Sequence, residues 1–88
     1  MNVQFRASFS KDLRSIKNKN LLDRIRETVE YIEKAQKLPD IANLKKLKGG
    51  RIYYRIRVGE YRIGLTIENN TVAFVRCLNR KEIYRYFP

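Results

Sequence analysis

Arg51, Arg55, Arg57 and Arg62 stand within one short stretch of the chain, spaced so that most of them share a surface. Arg51, Tyr53, Arg55 and Arg57 alternate with Ile52, Tyr54, Ile56 and Val58. A period of two is the signature of a strand with one face buried and one face wet. Gly59-Glu60 fits a two-residue turn with glycine first. Beyond it, Tyr61, Ile63, Leu65 and Ile67 alternate with Arg62, Gly64, Thr66 and Glu68. With the turn at the tip, Val58 faces Tyr61, Ile56 faces Ile63 and Tyr54 faces Leu65, all sensible core pairs. The same register sets Arg57 directly opposite Arg62, with Arg55 on the diagonal. Like charges directly opposite are destabilising, so a fold gains nothing from this arrangement. Long arginine stems can splay into water at little cost. The functional alternative is a cationic floor for phosphate, since guanidinium presents a planar fork matched to phosphate oxygens.

Tyr53 lies on the arginine face, either as a stacking platform for a base or as a half-buried strand tyrosine. Gly64 is the flat spot opposite Arg55, where a ligand can approach or a bulge can form. Other chemistry is excluded by residue types. The chain has no histidine, so Ser-His and Cys-His catalysis are absent. A lone cysteine, Cys77, forms no intramolecular disulfide, fits a reducing cytoplasm, and has no histidine to join it on zinc. Neither a metal nor another cofactor is expected.

Charge points the same way. Twenty Lys and Arg against nine Asp and Glu give a net charge of +11. Residues 1–44 carry +3 of it and residues 45–88 carry +8. A polyanion partner follows naturally, because each neutralised phosphate releases counterions. An acidic protein would also be attracted, and the bland alternative is solubility alone. The longest apolar run, Val72 to Val75, is far below the ~20 residues of a membrane helix. The N-terminus has no signal-peptide core.

The elements that must carry these residues read as strand, two helices, then three strands. Val3 and Phe5 alternate with Gln4 and Arg6 as a short first strand. Ser8 or Ser10 is expected to cap a first helix, with Asp12 in its first turn and Phe9, Leu13 and Ile16 as its apolar stripe. Asn20 is the expected cap of a second helix over about Leu21 to Gln36, ended by Leu38-Pro39. Leu22, Ile25, Val29 and Ile32 repeat at helical spacing and should face the sheet. Residues 40–50 read as a connector. After the arginine hairpin, Asn69-Asn70 is a second tight turn and Thr71 to about Leu78 the last strand. That turn's register puts Val72, Phe74 and Leu78 on the core face, and Arg76 with them. Either Arg76 sits at the rim or a bulge flips the later residues. Asn79 to Pro88 is an aromatic, basic tail. The chain should be a single 1–88 domain: an α+β two-layer sandwich, with the N-terminal strand and two-helix hairpin packed on one face of a small antiparallel sheet.

The stretch Tyr54-Arg-Ile-Arg-Val-Gly-Glu-Tyr-Arg-Ile63, followed by a strand and then Asn79-Arg-Lys-Glu-Ile-Tyr84, resembles the RelE/ParE superfamily of bacterial toxins, the RelE-like branch in particular. Leu44-Lys45-Lys46-Leu47-Lys48-Gly49 is similar to the family's lead-in to the sheet. The resemblance implies a type II toxin held by an acidic antitoxin. It implies a cytoplasmic, metal-independent endoribonuclease that enters the ribosomal A site and cuts mRNA, the messenger's 2′-hydroxyl attacking the adjacent phosphodiester. By position, Arg62, Arg80 and Tyr84 match catalytic residues, and Arg55 and Arg57 match two basic strand residues that hold phosphates. Tyr53, Lys48, Arg51 and Lys81 complete the expected RNA-binding set. RelE itself has lysines at the positions of Arg55 and Arg57, and many relatives have histidine at Asn79. Arginine stays protonated and is no base, so electrostatic stabilisation is the implied mode. A ParE-like inhibitor of DNA gyrase, without nuclease chemistry, and a non-toxic basic RNA-binding module are the alternatives.

Overall fold

In a computed structural model, which describes residues 1–37 and 41–88, a five-stranded sheet carries two helices on one face. The elements are β1 (Asn2–Phe5), α1 (Ala7–Arg14), α2 (Lys19–Lys34), β2 (Leu44–Lys46), β3 (Tyr53–Val58), β4 (Tyr61–Glu68), β5 (Thr71–Asn79) and α3 (Ile83–Tyr86). The strand order is β1-β5-β4-β3-β2. Every pair is antiparallel except β1 on β5, which is parallel at the first edge. This is the expected two-layer α+β sandwich. The Leu38-Pro39 stop lies outside the described residues.

Both hairpins turn where the sequence says. Gly59 has φ +60° while Glu60 does not enter the positive region, as a glycine-first turn requires. Asn69 and Asn70 both take positive φ, +51° and +59°, which asparagine tolerates better than most residues. The β3–β4 register is the expected one throughout, including Arg57 opposite Arg62. Ile63, Leu65, Val72 and Phe74 are completely buried between sheet and helices. Each such side chain contributes about 1.5–3 kcal/mol of transfer free energy. Phe9 of α1 packs on Phe74, ring centroids 5.4 Å apart, and Ile25 and Ile32 anchor α2.

The helix starts differ from expectation. Asn18, not Asn20, caps α2, accepting the Leu21 amide on its side chain at 3.1 Å. The cap position of α1 is Arg6, with no side-chain cap. Ser8 and Asp12 face the sheet edge instead. β1 pairs only as far as Phe74, so the edge of β5 beyond it needs other partners. The Ser8 hydroxyl donates to the Val75 carbonyl, and the Asp12 carboxylate accepts the Cys77 amide at 2.9 Å. α1 thus uses polar side chains to complete a strand edge that backbone pairing leaves open.

The expected connector contains a strand. β2 pairs with β3 and sets Lys45 opposite Arg55. Three residues with two lysines give almost no alternation to read. Short, lysine-bearing strands are also how sheets blunt their edges.

Candidate functional site

A bulge decides which residues of β5 share the arginine face. Leu65 pairs with Phe74 but Gly64 pairs with Arg76, leaving Val75 as the extra residue. One additional residue reverses the alternation. Cys77 therefore enters the core, 1% exposed, while Arg76 leaves it. Leu78, expected on the core face, lies opposite Arg62 on the other face. One row across the sheet now reads Lys45, Arg55, Gly64, Arg76, and the next reads Arg57, Arg62, Leu78.

Arg62 and Arg80 converge on the Gly59-Glu60 turn. Arg62 Nη1 donates to the Gly59 and Tyr61 carbonyls at 2.9 and 3.0 Å. The Arg80 amide donates to the Glu60 carbonyl at 2.8 Å, and its Nε pairs with the Glu60 carboxylate at 2.9 Å. That ion pair is exposed and open to exchange for another anion. Glu60 read as a turn residue in sequence, because nothing before folding brings Arg80 to it. Arg57 is exposed beside Arg62. Arg55 is half-buried, with Nη1 3.5 Å from the Asn43 carbonyl and a buried Nε that has no hydrogen-bond partner. A buried charged donor without a partner is costly, and a ligand oxygen would satisfy it.

The tail crosses this same face. α3 follows the 80–82 turn, with Ile83 and Phe87 buried, Tyr84 58% exposed and Lys81 exposed. Phe87 fills the space above Gly64, where a Cβ would come within 2.6 Å of its ring. It also meets Tyr53 edge-on, centroids 5.8 Å apart. Tyr53 also lies against Gly50, where a Cβ would come within 2.7 Å of its ring. Tyr53 itself is half-buried. Lys48 and Arg51 lie exposed on the loop that flanks this wedge, with Gly49 near Pro88. Arg55, Arg57 and Arg62 thus share one face of the sheet and Arg80 joins them at the Gly59-Glu60 turn, while Tyr84 is exposed on α3 and Lys48 and Arg51 are exposed on the loop before β3. Lys45 joins the set only through β2.

Arg76 is the exception among the arginines. Its Nε and Nη2 donate to the two Asp12 oxygens at 2.8 and 3.1 Å, and its guanidinium carbon lies 5.4 Å from the Tyr86 ring centre. The Asp12 hydrogen bond raises its pKa above the ordinary value. Burial, then the Asp12 charge, pushes the neighbouring Cys77 thiol up to about 12. Among the described residues, no three His, Cys, Asp or Glu side chains gather as metal ligands, and no helix is long and apolar enough to cross a membrane.

Comparison with known proteins meets the same fold. The family model described as the ParE toxin of type II toxin-antitoxin system, parDE, matches residues 3–84. A toxin named RelE3 from Methanocaldococcus jannaschii is 43% identical over 89 residues, covering the whole of both chains. A chain of the RelB-RelE antitoxin-toxin complex from Methanococcus jannaschii superposes with a TM-score of 0.81 at 40% identity, covering 97% of this chain and 99% of that one. A chain of the RelE-RelB complex from Pyrococcus horikoshii OT3 reaches 0.74 at 21% identity, with 93% and 97% covered, and shows the fold alone.

Proposed function

Because the chain belongs to the RelE/ParE superfamily of type II toxin–antitoxin toxins, we propose that it is a ribosome-dependent mRNA endonuclease held inactive by an acidic antitoxin. The observation that carries this reading is the convergence of Arg62 and Arg80 on one turn, beside Arg57, with Tyr84 exposed on the short helix that follows Arg80. The 2′-hydroxyl of an mRNA nucleotide attacks the adjacent phosphorus. The bond to the 5′-oxygen of the next nucleotide breaks, leaving a 2′,3′-cyclic phosphate and a free 5′-hydroxyl once that oxygen takes a proton. The attacking hydroxyl gives up its proton in the same exchange. The pentavalent transition state carries more negative charge than the substrate, so fixed guanidiniums stabilise it preferentially. Arg62 and Arg80 serve that charge, with Arg80 exchanging Glu60 for phosphate. Arg55 and Arg57 hold flanking phosphates, joined by Lys48, Arg51 and Lys81. Tyr84 stacks on a base or moves a proton. The nucleophile belongs to the substrate, so the reaction requires no metal-bound hydroxide.

The antitoxin reading is supported by a relative whose structure was solved as a RelB-RelE complex and by the charge of +11. The whole activity fits one domain acting in the cytoplasm. The match to the ParE model keeps a second reading in play, binding to DNA gyrase without cleavage. Inducing the protein in cells and mapping mRNA 5′ ends separates the two. Cuts within codons of translated messages are expected. Intact messages with damaged DNA would overturn the nuclease reading in favour of gyrase.

A further inference from the structure

Asp12, Arg76 and Tyr86 have no part in the mechanism above, yet Asp12 and Arg76 form the least exposed ion pair among the described residues, and the Tyr86 ring lies against it. The Asp12 side chain is 9% exposed and that of Arg76 26%. Through Tyr86 the pair reaches the short turn that carries Tyr84. α3 has only four residues, too few to hold a helical turn by itself. Its anchors are Ile83 and Phe87, 0% and 3% exposed. Phe87 is the C-cap, with extended backbone, and its amide donates to the Ile83 carbonyl, so the two anchors close the turn. Two anchors fix position but not rotation about the line that joins them. Tyr86 is a third contact, and its ring is where the Arg76 guanidinium rests.

Arg76 is itself held. The β5 bulge turns it off the core face. Two hydrogen bonds lock it to Asp12, whose carboxylate also accepts the Cys77 amide. α1, β5 and α3 are therefore joined through one carboxylate, one guanidinium and one ring. We propose that Asp12 and Arg76 are positioning residues that, through Tyr86, fix the rotational setting of the C-terminal turn and so aim Tyr84 at the arginine face. The role in catalysis rests on the nuclease reading; the mechanical link does not.

Tyr86 is 54% exposed, so changing it leaves the core alone. The test compares Tyr86→Leu with Tyr86→Phe in the full chain. The first readout is hydrogen exchange at the Arg85 and Phe87 amides, which donate to the Glu82 and Ile83 carbonyls. The second is kcat and KM for cleavage of mRNA on programmed ribosomes. Tyr86→Leu removes the ring and should speed exchange by about 2–5-fold, the equivalent of one exposed cation–π contact. It should lower kcat by about tenfold through misaligned geometry, with KM within about twofold. Tyr86→Phe keeps the ring face and should match the native chain in both. Unchanged exchange in Tyr86→Leu would overturn the link. Faster exchange with unchanged kcat would overturn the positioning role. Absence of cleavage by the native chain would sink the nuclease reading and the positioning role together, and the exchange data tell that outcome apart.

Discussion

Arg62 and Arg80 reach one turn from two sides, but neither bears the weight of the fold. The Arg62 hydrogen bonds go to turn carbonyls, and Arg80 pairs with an exposed Glu60. Contacts of this kind are worth at most about 1 kcal/mol each. Removing Arg62 also relieves its like-charged neighbour Arg57. Arg62→Ala and Arg80→Ala should therefore keep their melting temperatures within a few degrees while ribosome-dependent cleavage falls ~10²–10³-fold. Phe74→Ala is the contrast. Phe74 is wholly buried, and its truncation should cost about 3–5 kcal/mol in a denaturant titration. Unfolding by Arg62→Ala, or full cleavage by it, would refute the assignment. Cys77 behaves in the opposite sense to a reactive thiol. Burial, aided by the Asp12 charge, lifts its pKa from 9.0 to about 12. The folded protein then keeps a proton that the unfolded chain loses above about pH 8.5. Its contribution to stability is whole below that pH and declines as pH rises toward 12, by up to about 1.4 kcal/mol per unit. At pH 8 the native thiol should resist iodoacetamide until denaturant is added. Rapid alkylation of the folded protein would show the burial to be wrong.

At the scale of elements, the tail and the sheet meet through one glycine. Gly64 lacks the side chain that would otherwise collide with Phe87. The Phe87 ring is 3% exposed and also leans on Tyr53, so it has little room to retreat. Gly64→Ala should cost about 1–3 kcal/mol by overpacking. It should also displace α3 and lower cleavage, while Gly59-Glu60 and its arginines stay in place. Thermal unfolding and the exchange rate of the Phe87 amide check this. A Gly64→Ala protein of native stability would mean that the tail does not rest on the sheet as described. The bulge at Val75 is the other element-scale device. Without it Arg76 would stay on the core face, and Asp12 would lose its partner.

For the whole molecule the dominant quantity is charge. The net +11 is carried mostly by residues 45–88, the segment that holds the arginine face. Binding to ribosomes or to RNA should therefore weaken steeply as salt rises, since several phosphates are neutralised together and each adds to the slope of log K against log salt. Titration of fluorescent RNA between about 50 and 200 mM salt measures that slope. Arg57→Ala should reduce it by roughly one phosphate. A flat response would mean that this face does not read phosphates. On the proposed reading, the same field suits an acidic antitoxin segment, and RNA and antitoxin should then compete for one surface of the toxin.

The arginine hairpin is legible from the order of residues alone. Strict alternation and a glycine-first turn leave one register that buries Ile56, Ile63 and Leu65, and that register places Arg57 against Arg62. Both helices are legible too, to within a few residues, because apolar side chains at helical spacing need a sheet to cover. The cap of α1 differs because Ser8 has a better use than capping: with Asp12 it completes an open strand edge more than sixty residues away in sequence. The face of Arg76 was undecidable, since one extra residue in β5 costs little locally and is fixed by what Asp12 and Tyr86 offer on the far side. β2, and Lys45 with it, became a strand only by pairing with β3. The meeting of Arg80 with Glu60 and the seat of Phe87 on Gly64 were likewise tertiary decisions. Periodicity is a property of neighbours along the chain, whereas a site is made by residues that only folding brings within reach.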